Sequence, residues 1–364
     1  MRVVLLVTDL QLGGTPLRLA ALARALRDLG ADVTVGCLAP PGPVSARLEA
    51  AGIPTFTCDA RGPRDLLTLR RLARHLRRLQ PDLVHATLTH ANVAARLVGG
   101  WLRVPVVTST ATIEVERRWH RWTERLTARW DCGHVVNSRA VAEHVQRAFR
   151  LPPEHVHVVP PLITTVPPRI DRGLARAKLG LPADAFVVLW AGRFDPVKRI
   201  DVCIRCAELL ADSDCHLLLA GDGPLRGAIE QRGRTSLAAK RIHLLGWQDD
   251  LGPAMSAADA LLLPSRTEGL PNTVLQAMAF GLPVVAADIP ALRELAGDPP
   301  RLLLVEAADP QPYVHALRRL RTDAALRAAF VQRARAWAAP YADPHVAART
   351  TIAVYQRVIR SSST

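Results

Sequence analysis

Ala191-Gly192-Arg193-Phe194-Asp195-Pro196-Val197-Lys198 follows directly on the apolar run Val187 to Trp190. Later in the chain Pro264-Ser265-Arg266-Thr267-Glu268-Gly269 follows a second apolar run, Ala260 to Leu263, and leads into Asn272-Thr273-Val274-Leu275-Gln276-Ala277-Met278. Both runs read as buried parallel strands, and open α/β sheets place their ligands at strand C-termini. One stretch supplies two cations, Arg193 and Lys198; the other supplies the carboxylate of Glu268. The chain then turns at Glu268-Gly269 and enters a helix near Asn272, where free backbone N–H groups and the helix dipole favour an anion. Arg193, Lys198 and that helix start are expected to grip one diphosphate.

Lys178, Lys198 and Lys240 are the only lysines among 47 basic residues. Lysine and arginine are not interchangeable at a phosphate, so an ammonium kept at position 198 points to a need for a compact point charge. The alternative is a solvated charge at a helix start.

Working outward, short apolar runs alternate with amphipathic stretches on both sides. The first half offers Val3 to Val7, Val33 to Leu38, Thr55 to Cys58, Leu83 to Ala86, Val104 to Thr108 and His134 to Val136 as strands. The second offers Phe186 to Trp190, His216 to Ala220, Ile242 to Leu245, Ala260 to Leu263, Val284 to Ala286 and Leu302 to Val305. This is the rhythm of two doubly wound parallel sheets in tandem. Between them Pro160-Pro161-Leu162-Ile163-Thr164-Thr165-Val166-Pro167-Pro168 excludes helix and interior strand and suits a semi-rigid linker. The expected domains are residues 1–165 and 172–340, with 341–364 a C-terminal helix that packs back on the first.

At 364 residues the chain is long enough for two cores, and 49% apolar with 22% charged residues is a soluble globular composition. No apolar stretch reaches bilayer length. Met1-Arg2-Val3-Val4-Leu5-Leu6-Val7 meets Asp9 too early for a signal peptide and reads as the first strand of a cytoplasmic protein. The net charge of +14 lies more in the first 165 residues than in the rest. Zinc-finger spacing, RNP-like aromatics and basic-region heptads are missing, so nucleic acid is not the expected partner. Peripheral contact with an anionic membrane fits the charge better. Six scattered cysteines frame neither a disulfide scaffold nor a metal site, and Cys203-Ile204-Arg205-Cys206 reads as buried small hydrophobes within a helix.

Two further candidates follow strands of the first half. Leu12-Gly13-Gly14-Thr15-Pro16 is either plain turn chemistry or a wall of the ligand site, since Gly13 and Gly14 allow backbone to approach a phosphate or sugar oxygen. It is not GxGxxG, so it carries no dinucleotide fingerprint. His90 and Asn92, after the strand at Leu83-Val84, are candidates for binding an acceptor hydroxyl or phosphate, whereas His85 reads as a satisfied strand residue. From Glu114 to Trp130 the chain is basic and Trp-rich. Val115, Trp119, Trp122, Leu126 and Trp130 recur at helical spacing, which favours a core-facing stripe with solvated arginines behind it over a membrane-surface helix. The arginines of Asp65 to Gln80 alternate with a leucine stripe in the same way. Asp212-Ser213-Asp214 precedes a strand, on the wrong side for the ligand, and reads as a polar turn.

Taken in order, Gly13-Gly14, Gly192-Arg193 with Lys198, Gly221-Asp222-Gly223-Pro224, Pro264-Ser265, Glu268-Gly269 and Ala277-Met278 with Gly281-Leu282-Pro283-Val284 resemble the retaining glycosyltransferases of family 4. The resemblance covers nearly the whole chain. It implies the GT-B fold, two Rossmann-like domains facing each other across a cleft that holds a nucleotide sugar. It further implies that Arg193 and Lys198 neutralise the diphosphate leaving group. Backbone N–H groups near Leu270, Asn272 and Thr273 would cradle that group, and Glu268 would bind donor-sugar hydroxyls. Gly192, Gly223 and Gly269 would line the donor site. A UDP- or GDP-hexose would then be the donor and a lipid-linked or glycan molecule the acceptor, with neither metal nor cofactor.

Two departures stand out. Gln276 occupies the position of a second Glu that family members usually place against the ribose; an amide still bonds a hydroxyl but without charge assistance. Ala111 stands where many members carry a histidine, leaving Glu114, Glu116 or His90 as neighbours able to arrange the reaction centre. These departures motivate an alternative, a catalytically weakened sugar-nucleotide-binding partner subunit. Another GT-B enzyme, such as an epimerase or phosphorylase, is a third reading.

Overall fold

The computed structural model describes residues 1–62, 65–112, 118–210, 214–306 and 309–362, with the side chain of Arg118 left out. The chain divides into two compact units, Met1–Thr164 together with Asp343–Thr364, and Thr165–Ala342. Glu114, Glu116, Asp212 and Ser213 lie outside the described residues.

The first unit runs β1 (Arg2–Val7), α1 (Gly14–Asp28), β2 (Asp32–Cys37), α2 (Pro43–Ala50), β3 (Thr55–Thr57), α3 (Leu67–Leu79), β4 (Leu83–Thr87), α4 (Thr89–Leu102), β5 (Val106–Thr110), α5 (Arg118–Thr127), β6 (Gly133–Val136), α6 (Arg139–Phe149) and β7 (Val156–Val158). The second runs α7 (Arg172–Lys178), β8 (Phe186–Arg193), α8 (Ile200–Leu209), β9 (Cys215–Asp222), α9 (Arg226–Thr235), β10 (Ile242–Gly246), α10 (Gly252–Ala257), β11 (Ala260–Leu263), α11 (Asn272–Phe280), β12 (Val284–Ala287), α12 (Pro290–Ala296), β13 (Leu303–Val305), α13 (Pro310–Thr322) and α14 (Ala324–Ala338). The last helix, α15 (Pro344–Ser362), belongs to the first unit and packs against α1.

Each unit holds one parallel sheet, in the orders β3-β2-β1-β4-β5-β6-β7 and β10-β9-β8-β11-β12-β13. Each order reverses direction once, between β1 and β4 and between β8 and β11. At such a switch point the following loops part and leave a crevice at the strand C-termini. Strands buried on both faces explain the unbroken apolar runs: Val3 to Val7, Val187 to Trp190 and Ala260 to Leu263 are all buried. Right-handed crossovers put α3, α4, α5 and α6 on one face of the first sheet, and neighbours in that series pack side by side.

Every strand expected from the sequence is present, with shifted ends, and one further strand appears. β7 is a three-residue edge strand paired only to β6, too short and too exposed to leave a periodic signal. β8 extends through Gly192 and Arg193 because its pairing with β9 continues to Asp222, so these two residues close the strand rather than follow it. Cys203 and Cys206 are buried in α8, and burial pushes the Cys206 thiol up to about 12, which makes both inert apolar fillers. In α3 the stripe Leu69, Leu72, Leu76 and Leu79 packs inward as expected, while Leu66 and Leu67 at its start are exposed.

The reading of α5 is overturned. Trp119, Trp122, Leu126 and Trp130 face solvent, with Trp122 58% and Leu126 63% exposed, while Glu124 on the opposite side is 1% exposed. The helix has turned its polar side inward because α4 buries the guanidinium of Arg96, which requires anionic partners. Arg96 bonds Glu124 at 2.5 Å and Asp131 at 2.6 and 2.8 Å, and it also donates to Thr127 and Thr108. Asn92 adds a bond to Glu124 at 2.9 Å, and Thr108 and His134 complete the shell of Asp131. Burial alone would push the Asp131 carboxyl up; bonds from His134 and Arg96 and the charge of Arg96 more than offset this and hold it below the usual carboxylate range.

His85, buried in β4, sits 2.5 Å from the Tyr355 hydroxyl of α15. Burial, with a smaller push from His134, lowers its pKa from 6.5 to about 3. Below pH 6.5 the unfolded chain binds a proton at this site that the folded chain refuses, so the stability this residue lends is complete above that pH. It is lost progressively as pH falls toward 3. The loss amounts to at most about 5 kcal/mol across the window. Urea midpoints measured from neutral pH downward should fall through this range, and His85→Leu should flatten the fall; an unchanged slope in that variant would exclude His85 as its source.

Candidate active site

The site in the second unit forms where β8 and β11 end side by side. Beyond Arg193, Asp195 accepts the backbone N–H of Val197 and closes a single tight turn, Pro196 to Lys198, that aims the lysine back over the strand ends. The backbone N–H of Arg266 donates to the Val197 carbonyl at 2.8 Å, tying the β11 loop to the β8 loop. Across this tie Lys198 Nζ lies 2.6 and 2.7 Å from the two carboxylate oxygens of Glu268. Glu268 is buried and Lys198 half-buried, so the pair is shielded from solvent screening on the carboxylate side.

Helix α11 starts four residues after Glu268. Pro271 at its N-cap supplies no side-chain bond, and the Thr273 hydroxyl donates to the Ala191 carbonyl at 3.0 Å, pinning the first turn against β8. Leu270 and Gly269 are buried in the approach to the helix, and Gln276 is half-buried one turn further on. Ser265 Oγ is buried with no hydrogen-bond partner among the described residues. Arg193 is exposed at the end of β8.

Glycines let the β9 loop close on this site. A Cβ on Gly221 would stand 1.9 Å from the Gly192 carbonyl oxygen, and one on Gly223 would stand 2.6 Å from that of Phe194. Neither contact is possible for a side chain, so the order Gly192-Arg193 and Gly221-Asp222-Gly223 is a packing requirement of two adjacent strand ends.

In the first unit the switch point between β1 and β4 carries the remaining candidates. Gly13 precedes α1 with no side-chain cap, and Gly14 is its first residue. Leu88, at φ 77°, turns the chain from β4 into α4, an uncommon conformation for a bulky residue and of the kind found at binding sites. His90 follows in the first turn of α4, with its ring edge-on to Trp119 at 5.4 Å and to His120 at 5.2 Å. Asn92 is buried; its amide nitrogen donates to Glu124 and to the Ser109 carbonyl, and its Oδ1 has no partner among the described residues. A cavity of about 40 Å³ opens here, lined in part by Asn92, Ala111, His120, Arg121, Glu124 and His144. Thus Asn92 shares this cavity with Ala111, and His90 meets its edge through His120, while His120, Glu124 and His144 escaped sequence analysis. Their signal was present in part: His120 and Glu124 are four apart on α5, on the side opposite the tryptophans.

Two doubly wound parallel sheets in tandem, each with a single switch point, define the class by its fold as GT-B. Residues 12–166 match the family model described as Glycosyltransferase Family 4, and residues 185–323 match the one described as Glycosyl transferases group 1. The chain belongs to this family. It is 25% identical over 305 residues to the UDP-Gal:alpha-D-GlcNAc-diphosphoundecaprenol alpha-1,3-galactosyltransferase of Escherichia coli, covering 78% of this chain and 79% of that enzyme. It is 33% identical over 245 residues to the D-inositol 3-phosphate glycosyltransferase of a Nocardioides species, covering 61% of this chain and 53% of the relative. The chain therefore spans only about half the length of the inositol phosphate enzymes it matches. Among solved structures, Anabaena HepE in complex with UDP-glucose superposes with a TM-score of 0.80 at 22% identity, over 100% of this chain and 99% of that one. Sucrose-phosphate synthase from Thermosynechococcus elongatus superposes with a TM-score of 0.83 at 20% identity, over 99% of this chain and all of that one. At these identities the likeness bears on the fold.

Proposed function

We propose that this glycosyltransferase moves a hexose from a UDP- or GDP-sugar to a lipid-linked or glycan acceptor, with retention of anomeric configuration and without a metal. The observation that carries the reading is the Lys198–Glu268 pair beside the start of α11. An ammonium has three N–H donors, and two are spent on Glu268, so one remains for a phosphate oxygen. The carboxylate in turn keeps lone pairs for sugar hydroxyls. One pair can thereby hold both sides of the bond that breaks, with the leaving diphosphate on the lysine and the hexose on the glutamate.

Arg193 and the N–H groups near Leu270, Asn272 and Thr273 add positive potential where charge develops on the leaving group, the largest catalytic term available to such a site. A departing phosphate oxygen can itself take the acceptor proton on the same face of the sugar, which needs no histidine at Ala111 and yields retention. Gln276 then bonds the ribose as a neutral donor and acceptor. In the first unit, the Oδ1 of Asn92, without a partner among the described residues, suits an acceptor hydroxyl, and His90 lies two residues before it. The Escherichia coli relative is named for a UDP-sugar and a diphospholipid acceptor, which favours UDP and a lipid-linked acceptor here.

A second reading, a nucleotide-sugar-binding partner subunit with weakened catalysis, draws on Ala111 and Gln276. A thermal-shift titration with UDP, GDP, ADP and their sugar conjugates in the presence of EDTA separates the two when followed by a donor-hydrolysis assay. Ligand at about a hundredfold above its dissociation constant should add roughly 2.7 kcal/mol of stability, a shift of several degrees. Stabilisation by one nucleotide together with turnover supports the enzyme; stabilisation without turnover supports the partner subunit; no stabilisation by any of them overturns the donor site.

A further inference from the structure

We propose that the outer face of α5 is a docking surface for an anionic lipid membrane. Trp119, Trp122, Leu126 and Trp130 stand in one row along this helix and the turn that follows it, and all four are exposed. Large apolar side chains grouped in this way on a water-soluble surface mark an interaction site, whereas scattered ones do not.

The charges of the same segment identify the partner. Among the described side chains from residue 119 to 131, the acidic ones are Glu124 and Asp131, and both are buried against Arg96. What reaches solvent is mainly arginine, tryptophan and Leu126. Arg121 and Arg129 are exposed and Arg125 is half-buried beside them. The Arg125 guanidinium lies 5.6 Å from the centre of the Trp122 ring and that of Arg129 lies 5.2 Å from the Trp130 ring. A surface of one charge sign interleaved with tryptophan complements anionic head groups over an acyl boundary, where indole rings settle at the head-group level. Each arginine near such a surface adds electrostatic attraction, and the insertion of the rings adds an apolar term.

The neighbouring helices extend the character of this face. Trp101 of α4 is exposed with Arg77 of α3 over its ring at 4.5 Å, and both helices lie on the same side of the sheet as α5. No helix among the described residues is long and apolar enough to cross a membrane, so contact through this face would be a surface one.

Co-sedimentation of the full chain with phosphatidylcholine vesicles, with and without phosphatidylglycerol, tests it. The chain should bind the phosphatidylglycerol vesicles in a salt-sensitive way, and tryptophan fluorescence should be quenched by brominated lipid. The W122A/L126A/W130A variant should bind at least tenfold more weakly and lose the quenching. R125Q/R129Q should lose the preference for phosphatidylglycerol while keeping residual quenching. These sites are solvent-facing apart from the half-buried Arg125, so both variants should melt within a few degrees of the parent, and the melting curves are recorded alongside. Absence of binding by the folded parent, or equal binding by both variants, overturns the proposal. A dimer of the parent that W122A/L126A/W130A dissolves, without vesicle binding, also overturns it and assigns the face to a second copy of the chain.

Discussion

Lys198→Ala is expected to lower donor turnover by at least roughly tenfold, and by as much as a hundredfold if the ammonium supplies the main stabilisation of the leaving diphosphate. In the proposed donor site the half-buried lysine is the cation held in place by Glu268, whereas Arg193 is exposed at the end of β8. Removing it also leaves the buried Glu268 carboxylate without its partner, which costs stability by itself. Lys198→Ala combined with Glu268→Gln removes that unpaired charge, so its melting temperature should return toward the parent while turnover stays low. Single-turnover rates with saturating donor check the effect on chemistry. Parental turnover in the single variant would remove the diphosphate role from Lys198.

Arg96→Ala should destabilise the protein by about 3–5 kcal/mol, because it strands two buried carboxylates, Glu124 and Asp131. Against a total stability of about 5–15 kcal/mol this is a large share. Arg96 donates from Nε and from both terminal nitrogens to four side chains, a fork that lysine cannot reproduce, so Arg96→Lys should recover only part of the loss. Urea denaturation with a constant m-value reads both effects. A change below about 1 kcal/mol for Arg96→Ala would mean that water satisfies the carboxylates and that the network does not hold α5 in place.

The two expected effects differ in how visible they were beforehand. Lys198 and Glu268 could be found because each follows an apolar strand and the spacing of the second from Asn272 announces a helix start. Strand ends and helix starts are local events, written in neighbouring residues. Arg96 gave no such notice. It sits in the run Asn92-Val93-Ala94-Ala95-Arg96-Leu97-Val98, and the partners that make its burial tolerable come from other elements, on α5 and just before β6. His120, Glu124 and His144 were missed at the cavity for the same reason, since the misassigned face of α5 hid two of them. The close approach of Gly221 and Gly223 to the end of β8 was likewise invisible, although the glycines themselves were part of the ordered motif set.

By itself the sequence determined two parallel sheets and put Lys198 and Glu268 just after two of their strands, while the strand order, and so which strands meet at each reversal, came from the structure. Continuous apolar runs bounded by turn residues have few other ways to be buried. Only the tertiary structure decided which side of α5 faces inward. Helical periodicity records where apolar groups recur, and by that measure the tryptophan row belonged in the core. An unpaired guanidinium in the interior costs several kcal/mol, and pairing it required Glu124 to point toward Arg96. Glu124 and the tryptophans lie on opposite sides of one helix, so satisfying the charge turned the apolar row outward.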